Sequence, residues 1–295
     1  MKTLIIIGGL LGVLGCIGPV LPVHAQPTST QMNASYPRKA KEFSSAVVID
    51  VKTGNVVYEY QSQTQWPAAS LTKLMGALVF LDHHPAWNKV VTLSKKDEVG
   101  GGRLRVADGA KLTVQDLLYS SITASANNAA MAMARLSGLG YDRFIRAMNA
   151  KAKQMGLKHT RFVDASGIDP KNTTTAMDMA KIATAAFNIE RIRMAATTQK
   201  YRFIIRNTGA VKEIKNTNDL LVGKEYERLF VTGGKTGFIN ESGYNLAVRL
   251  KPAELKSDNS ALMIVVFGAP TRASSFKSAA ALADWVWNNK KSQSL

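Results

Sequence analysis

One cysteine in 295 residues, Cys16, leaves the chain no internal disulfide and no thiolate pair for a metal or redox centre. Histidine is scarce as well. His83 and His84 stand together before Pro85 while His24 and His159 stand alone, so no metal-ligand spacing is present and neither a metal nor another cofactor is expected. Internal repeats and low-complexity tracts are lacking, which excludes solenoids and arrays. A second long apolar run is also lacking, which excludes a polytopic membrane protein. Acidic side chains are few, 21 against 38 basic ones, for a formal charge of +17. Such a balance calls for an anionic partner, and the address of the chain decides which.

The one long apolar run opens the chain. Lys2 precedes apolar residues from Leu4 to Leu14, the apolar character continues to Val23-His24-Ala25, and polar sequence begins at Gln26. This reads as a secretory signal peptide over residues 1–25, too short and Gly-rich in its apolar core for a membrane span. Val13-Leu14-Gly15-Cys16 offers a competing lipoprotein-type cut that would leave a lipid on Cys16, but Ile17 to Val23 stays apolar where polar residues normally follow. Cleavage after Ala25 is the preferred reading. It removes the only cysteine, lowers the positive charge by one and makes the mature protein periplasmic with no stable membrane anchor. Export argues against nucleic acid and for an anionic envelope polymer.

Residues 26–43 are polar and contain proline, as a flexible leader does. Ala46–Val51 and Asn55–Tyr60 are strand-like runs joined through Thr53-Gly54, a hairpin. From Pro67 to about Asn188 the pattern is mainly helical, with a capping box at Thr113 and Asp116, stops at Gly138 and Gly156, and an amphipathic run from Tyr141 to Met155. Strand signals return at Leu229–Val231, Tyr244–Leu250 and Leu262–Phe267, and a helical run from Thr271 to Asn289 closes the chain. The expectation is an α/β (α+β) fold: one sheet assembled from both termini, flanked by helices, with a mostly helical lobe between.

Three short motifs carry the chemistry. Ser70-Leu71-Thr72-Lys73 opens a helical run to about Phe80, so serine and lysine lie one turn apart on one face. A serine hydroxyl is a poor nucleophile without a base, and lysine serves as one only when burial and nearby positive charge lower its pKa. Ser125-Ala126-Asn127 falls in a short break between helical runs. Lys235-Thr236-Gly237-Phe238 lies on or beside a strand, where Gly233, Gly234 and Gly237 let another backbone or a ligand approach. Each motif has a decoy. Ser274-Ser275-Phe276-Lys277, Ser257-Asp258-Asn259 and Lys52-Thr53-Gly54 repeat the patterns, and roughly one Ser-x-x-Lys is expected by chance in a chain this long. Context and order separate the sets, since the decoys run in reverse.

Ser-x-x-Lys, Ser-x-Asn and Lys-Thr-Gly in this order resemble the penicillin-binding proteins and serine β-lactamases. Pro67–Met75, Phe144–Asn149, Asn216-Thr217-Asn218 and Gly234–Phe238 extend the resemblance to the low-molecular-weight penicillin-binding proteins, the D-alanyl-D-alanine carboxypeptidase and endopeptidase family, over about Ser44 to Asn289. It implies a penicillin-binding-protein/β-lactamase-like transpeptidase fold, with residues 44–290 as the catalytic domain. It further implies Ser70 as the acylated nucleophile, Lys73 as its base, Ser125 as a proton relay and Asn127 as a positioner of Lys73 and substrate. Lys235 and Thr236 would hold a substrate carboxylate, Lys235 would help keep Lys73 neutral, and Gly237 would complete the binding strand. The backbone N–H groups of Ser70 and Phe238 would form the oxyanion hole.

Peptidoglycan muropeptides are then the expected substrates and β-lactams the expected covalent inhibitors. A related β-lactamase uses a Glu-x-x-Leu-Asn segment to hydrolyse the acyl-enzyme, and Ala165–Asn172 holds no glutamate. A β-lactam sensor would carry signalling spans. The chain stops some 58 residues after Gly237, resembling endopeptidases that cut D-Ala–diaminopimelate cross-links rather than carboxypeptidases with a further β-rich domain. Gly102-Arg103-Leu104-Arg105-Val106 also resembles the endopeptidases, with arginines that could meet an acidic stem. Ala126 departs from them, standing where an acidic residue is frequent. Removal of the terminal D-Ala of a pentapeptide stem is the alternative activity. Arg249 and Arg272 are candidates for a second substrate carboxylate, and Trp285 and Trp287 read as packing residues.

Overall fold

The computed structural model describes residues 42–293; the expected signal peptide and nearly all of the leader lie outside them. In chain order the elements are β1 (Ser45–Asp50), β2 (Val56–Tyr60), β3 (Trp66–Pro67), α1 (Thr72–Asp82), β4 (Val90–Thr92) and β5 (Lys111–Thr113). The lobe continues with α2 (Val114–Ile122), α3 (Asn127–Leu136), α4 (Tyr141–Gln154), β6 (Thr173–Thr174), α5 (Ala176–Asn188) and α6 (Glu190–Thr197). After it come β7 (Lys200–Ile204), β8 (Val211–Lys215), β9 (Leu229–Ile239), β10 (Gly243–Pro252), β11 (Leu262–Ala269) and α7 (Arg272–Gln293).

Both chain ends build the main sheet. Its order is β2-β1-β11-β10-β9, antiparallel throughout, with Val47 opposite Val265 where the ends meet. The two central strands are buried on both faces because helices cover both. Ala46, Val48, Leu262, Ile264 and Val266 face α7 through Phe276, Ala279, Ala283 and Val286. Their neighbours Val47, Met263, Val265 and Phe267 face the helical lobe. The period of two divides the strands between two cores.

α1 is buried without interruption from Thr72 to Phe80, the pattern of a helix enclosed on every side. It packs between α3, α4 and α5. The capping box forms as expected: Thr113 Oγ1 accepts from Asp116 N at 3.1 Å, and Asp116 Oδ2 accepts from Thr113 N at 2.8 Å. Gly138 and Gly156 follow the ends of α3 and α4 with φ of +85° and +70°, the left-handed turn that ends a helix. Two differences from expectation stand out. β9 runs on to Ile239, so the Lys-Thr-Gly segment is strand throughout. The β7–β8 hairpin and the short α6 interrupt what the sequence pattern left unassigned between Asn188 and Leu229.

Candidate active site

Three elements converge on one cleft of about 250 Å³, lined by Ser70, Gly101, Gly102, Ser125, Asn127, Gly167, Ile168, Thr217 and Phe238 among others. Ser70 does not open α1 as expected; it sits in a 3-10 turn, Ala69–Leu71, that runs into the helix. Lys73 still follows one turn later, and its Nζ lies 2.8 Å from Ser70 Oγ. Ser125 occupies the break between α2 and α3 with φ of +57°, a strained conformation for a residue with a side chain. Asn127 begins α3.

Lys73 is fully buried, and its ammonium donates to Ser70 Oγ, to Asn127 Oδ1 at 2.7 Å and to the Ser166 carbonyl. Burial brings its pKa down to about 7, against the opposing pull of the Asp164 carboxylate. At neutral pH much of it is therefore unprotonated and in contact with a hydroxyl, the arrangement that lets serine act as a nucleophile. Burial is thus the chief cause. Asn127 is held from its other end, with Nδ2 donating to Gly100 O at 2.9 Å.

Across the cleft, Lys235 Nζ donates to Ser125 Oγ at 2.7 Å and to Thr236 O at 2.8 Å. Burial and then the Lys73 charge hold Lys235 well below the ordinary ammonium range. Two serine–lysine pairs thus face each other, one from the Ser70 turn and α1, the other from the α2–α3 break and β9. Thr236 Oγ1 lies 2.6 Å from Thr217 Oγ1, and Phe238 is half exposed with its ring 4.4 Å from that of Tyr244.

Glycines let these pieces close on one another. A Cβ on Gly237 would stand 3.2 Å from Ser70 N, so β9 passes directly beside the Ser70 turn. On Gly167, where φ is +81°, a Cβ would fall 1.9 Å from Ala69 O, leaving no space for a side chain. Gly233 lies under the Phe187 ring in the same way.

All eight expected site residues come together here: Ser70, Lys73, Ser125, Asn127, Lys235, Thr236, Gly237 and Phe238 line or adjoin the cleft. The decoys are accounted for locally. Thr53 and Gly54 form the hairpin turn, Ser257 Oγ caps a 3-10 turn at Asn259, and Ser274 caps the start of α7. Arg249 caps the end of α5 by donating to Phe187 O and Asn188 Oδ1, away from the cleft. Arg272 forms a bidentate pair with Asp219 and donates to Thr217 O at 2.7 Å, supporting a cleft residue. Trp285 and Trp287 are half-buried on α7. Missed were Asp164, Ser166 and Gly167. The density of turn-forming residues in Asp164-Ala165-Ser166-Gly167 is the signal in the sequence that marks them.

Fold and site together define a serine peptidase of the penicillin-binding class, acting on D-Ala-D-Ala-type bonds. The family described as D-alanyl-D-alanine carboxypeptidase matches residues 30–271, and the chain belongs to it. It is 31% identical to a D-alanyl-D-alanine endopeptidase of Escherichia coli over 92% of this chain and 85% of that one. With a D-alanyl-D-alanine endopeptidase of Pseudomonas aeruginosa the identity is 32%, over 88% and 84%. Among solved structures, a D-alanyl-D-alanine carboxypeptidase from Mycobacterium tuberculosis superposes with a TM-score of 0.75 at 26% identity, over 88% of this chain and 96% of that one. The Streptomyces K15 DD-transpeptidase shares the fold at a TM-score of 0.76 and 24% identity, over 86% and 100%.

Proposed function

We propose that the protein is a D-alanyl-D-alanine endopeptidase that opens D-Ala–diaminopimelate cross-links of peptidoglycan in the periplasm, through an acyl-enzyme on Ser70. The observation that carries the reading is the shared Lys73 ammonium, which touches Ser70 Oγ and Asn127 Oδ1 at once in a buried site. Neutral Lys73 takes the Ser70 proton as Oγ attacks the D-Ala carbonyl. The backbone N–H groups of Ser70 and Phe238 receive the developing oxyanion, a reading supported by the close approach of β9 to Ser70 N at Gly237. Ser125, hydrogen-bonded to Lys235, relays the proton held by Lys73 to the departing amine, so that both end the step in their starting protonation states, and water then hydrolyses the ester and returns a proton to Ser70 Oγ. Lys235 and Thr236 hold a carboxylate of the substrate.

β-Lactams would acylate Ser70 by the same attack. No glutamate stands in Ala165–Asn172 to speed their release, so the acylated form is long-lived. The endopeptidase activity is favoured over trimming of pentapeptides because the relatives matched over most of both chains are endopeptidases. The test is a mass-spectrometric time course on cross-linked muropeptide dimers mixed with pentapeptide monomers, with Ser70→Ala as control. Dimers falling to monomers are expected. Loss of one D-Ala from pentapeptides while dimers persist would make the enzyme a carboxypeptidase instead.

A further inference from the structure

We propose that Asp164 is a positioning residue for the reaction: its buried carboxylate holds the Ser166 carbonyl on Lys73 and supplies the negative charge that balances Lys73 when it takes a proton. The proposal rests on the reading of Lys73 as the base. Asp164 begins the loop that leads to β6, and five hydrogen bonds converge on it. Oδ1 accepts from Ser166 N at 2.6 Å, Ser166 Oγ at 2.8 Å and Gly167 N at 2.6 Å. Oδ2 accepts from Asp169 N at 2.9 Å and Asn172 Nδ2 at 2.7 Å. Burial alone would raise its pKa, yet these donors hold it below the ordinary carboxylate range, so the group is a fixed anion.

The loop is also joined to the turn bearing Ser70. Asn172 O accepts from Ala68 N at 2.8 Å, and Gly167 presses against Ala69 O. Folding of the loop around Asp164 therefore aims the Ser166 carbonyl at Lys73 and sets the turn that presents the nucleophile. No ion pair with Asp164 is formed among the described residues, and none of its five hydrogen bonds comes from a cation. Among the described residues, these polar and charged groups face Lys73. From the turn comes Ser70 Oγ, from α3 Asn127 Oδ1, from β9 the repelling Lys235, and from the loop the Ser166 carbonyl and Asp164. Beyond Asp164 stand Asp169 and Tyr141, whose phenol is pushed up to about 12 by burial and by Asp164 and so stays neutral. Asp164 is the anion that opposes the desolvation of Lys73. Without it the amine would be a weaker base and its conjugate acid would be less stabilised beside the tetrahedral intermediate.

A merely structural aspartate would hold the loop and nothing more. Asp164→Asn and Asp164→Glu both disturb the five-donor cage, but only the first removes charge. The measurement is the rate of acylation by a fluorescent penicillin across the acid limb. For Asp164→Asn the midpoint is expected to move about one pH unit lower, with the high-pH rate down about tenfold or more. Asp164→Glu is expected to keep the wild-type midpoint with a reduced plateau. An unshifted midpoint in Asp164→Asn would overturn the charge role. Should that variant fail to fold, a wild-type plateau in Asp164→Glu would overturn the positioning role. Lys73→Ala is the separate control: wild-type acylation in that variant would refute the base assignment.

Discussion

Lys73 is a large, fully buried amine in a well-packed wall, and the cost of its charged form to the fold has a definite pH dependence. Burial depresses its pKa from the ordinary lysine value to about 7 in the folded protein. Between about pH 7 and the unfolded value near 10.5 the unfolded chain binds more protons at this position, so stability rises with pH there. The penalty is full below pH 7 and absent above the unfolded pKa. Replacing Lys73 by Met removes the penalty together with three hydrogen bonds. The variant is expected to lose acylation and to gain in stability relative to wild type as pH is lowered from 10 towards 7, by up to ~1–3 kcal/mol, with Tm rising accordingly. Thermal melts of both proteins at three pH values decide it, and a difference that stays flat with pH would mean that Lys73 is not the strained group. Both site lysines were legible in the sequence from motif order and context. That burial outweighs neighbouring charge in depressing Lys73 was not legible, because the depth of burial is a property of the packed lobe.

At the scale of elements, the loop from Asp164 to Asn172 and the β7–β8 hairpin make a useful pair, since each contains a glycine with positive φ. Gly167 has φ of +81° and a Cβ there would meet Ala69 O at 1.9 Å, whereas Gly209 has φ of +72° and nothing within 4 Å. Gly209→Ala is expected to cost about 1 kcal/mol from backbone strain alone, with activity intact. Gly167→Ala has to push the loop off the Ser70 turn, costing about 3 kcal/mol or more and at least tenfold in acylation rate. Denaturant melts and a penicillin acylation assay on the two variants separate strain from displacement. Equal losses would mean that the loop is not seated on the turn. The hairpin itself escaped the sequence reading for a physical reason. Its strands are five residues long and rich in lysine and arginine, and the inward face offers just Tyr201, Phe203 and Ile214 as apolar residues beside Lys212. Stacking of Tyr201 on Tyr119 at 4.0 Å and its hydrogen bond to Asp116 hold it in place, contacts that span more than eighty residues of sequence. The long, continuously apolar β1 and β11 needed no such partner to be recognised.

For the whole molecule, joining the chain ends in one sheet leaves β9 at the edge, where its outer flank meets the lobe and the cleft opens. The chain carries a formal charge of +17, and two of its exposed cations, Arg103 and Arg105, stand beside that opening. Arg103 directly follows Gly102 of the cleft wall, and its loop is fastened to α3: Asn127 N donates to Gly102 O at 2.7 Å, and Asn128 holds Leu104 through both its N–H and its carbonyl. Leu104 is buried between them, which leaves Arg103 and Arg105 exposed at the mouth. Arg103 reaches Glu98 only at 3.5 Å, a pair of little energetic weight when exposed. Long-range attraction between this surface and an acidic cross-linked stem is screened by salt, whereas the buried Ser70–Lys73 contact is not. Raising salt from about 0.05 M to about 0.5 M is therefore expected to lower kcat/KM for muropeptide dimers about three- to tenfold, through KM. Acylation by a small β-lactam should change much less. In the double variant Arg103→Gln, Arg105→Gln the salt dependence of dimer cleavage should flatten, with the loss at low salt greater than at high salt. Parallel salt curves for variant and wild type would show that the charge of the rest of the surface attracts the polymer and that these two arginines do not. A salt effect of equal size on β-lactam acylation would place it inside the cleft, on Lys235 and its carboxylate partner, and remove the mouth from the account altogether.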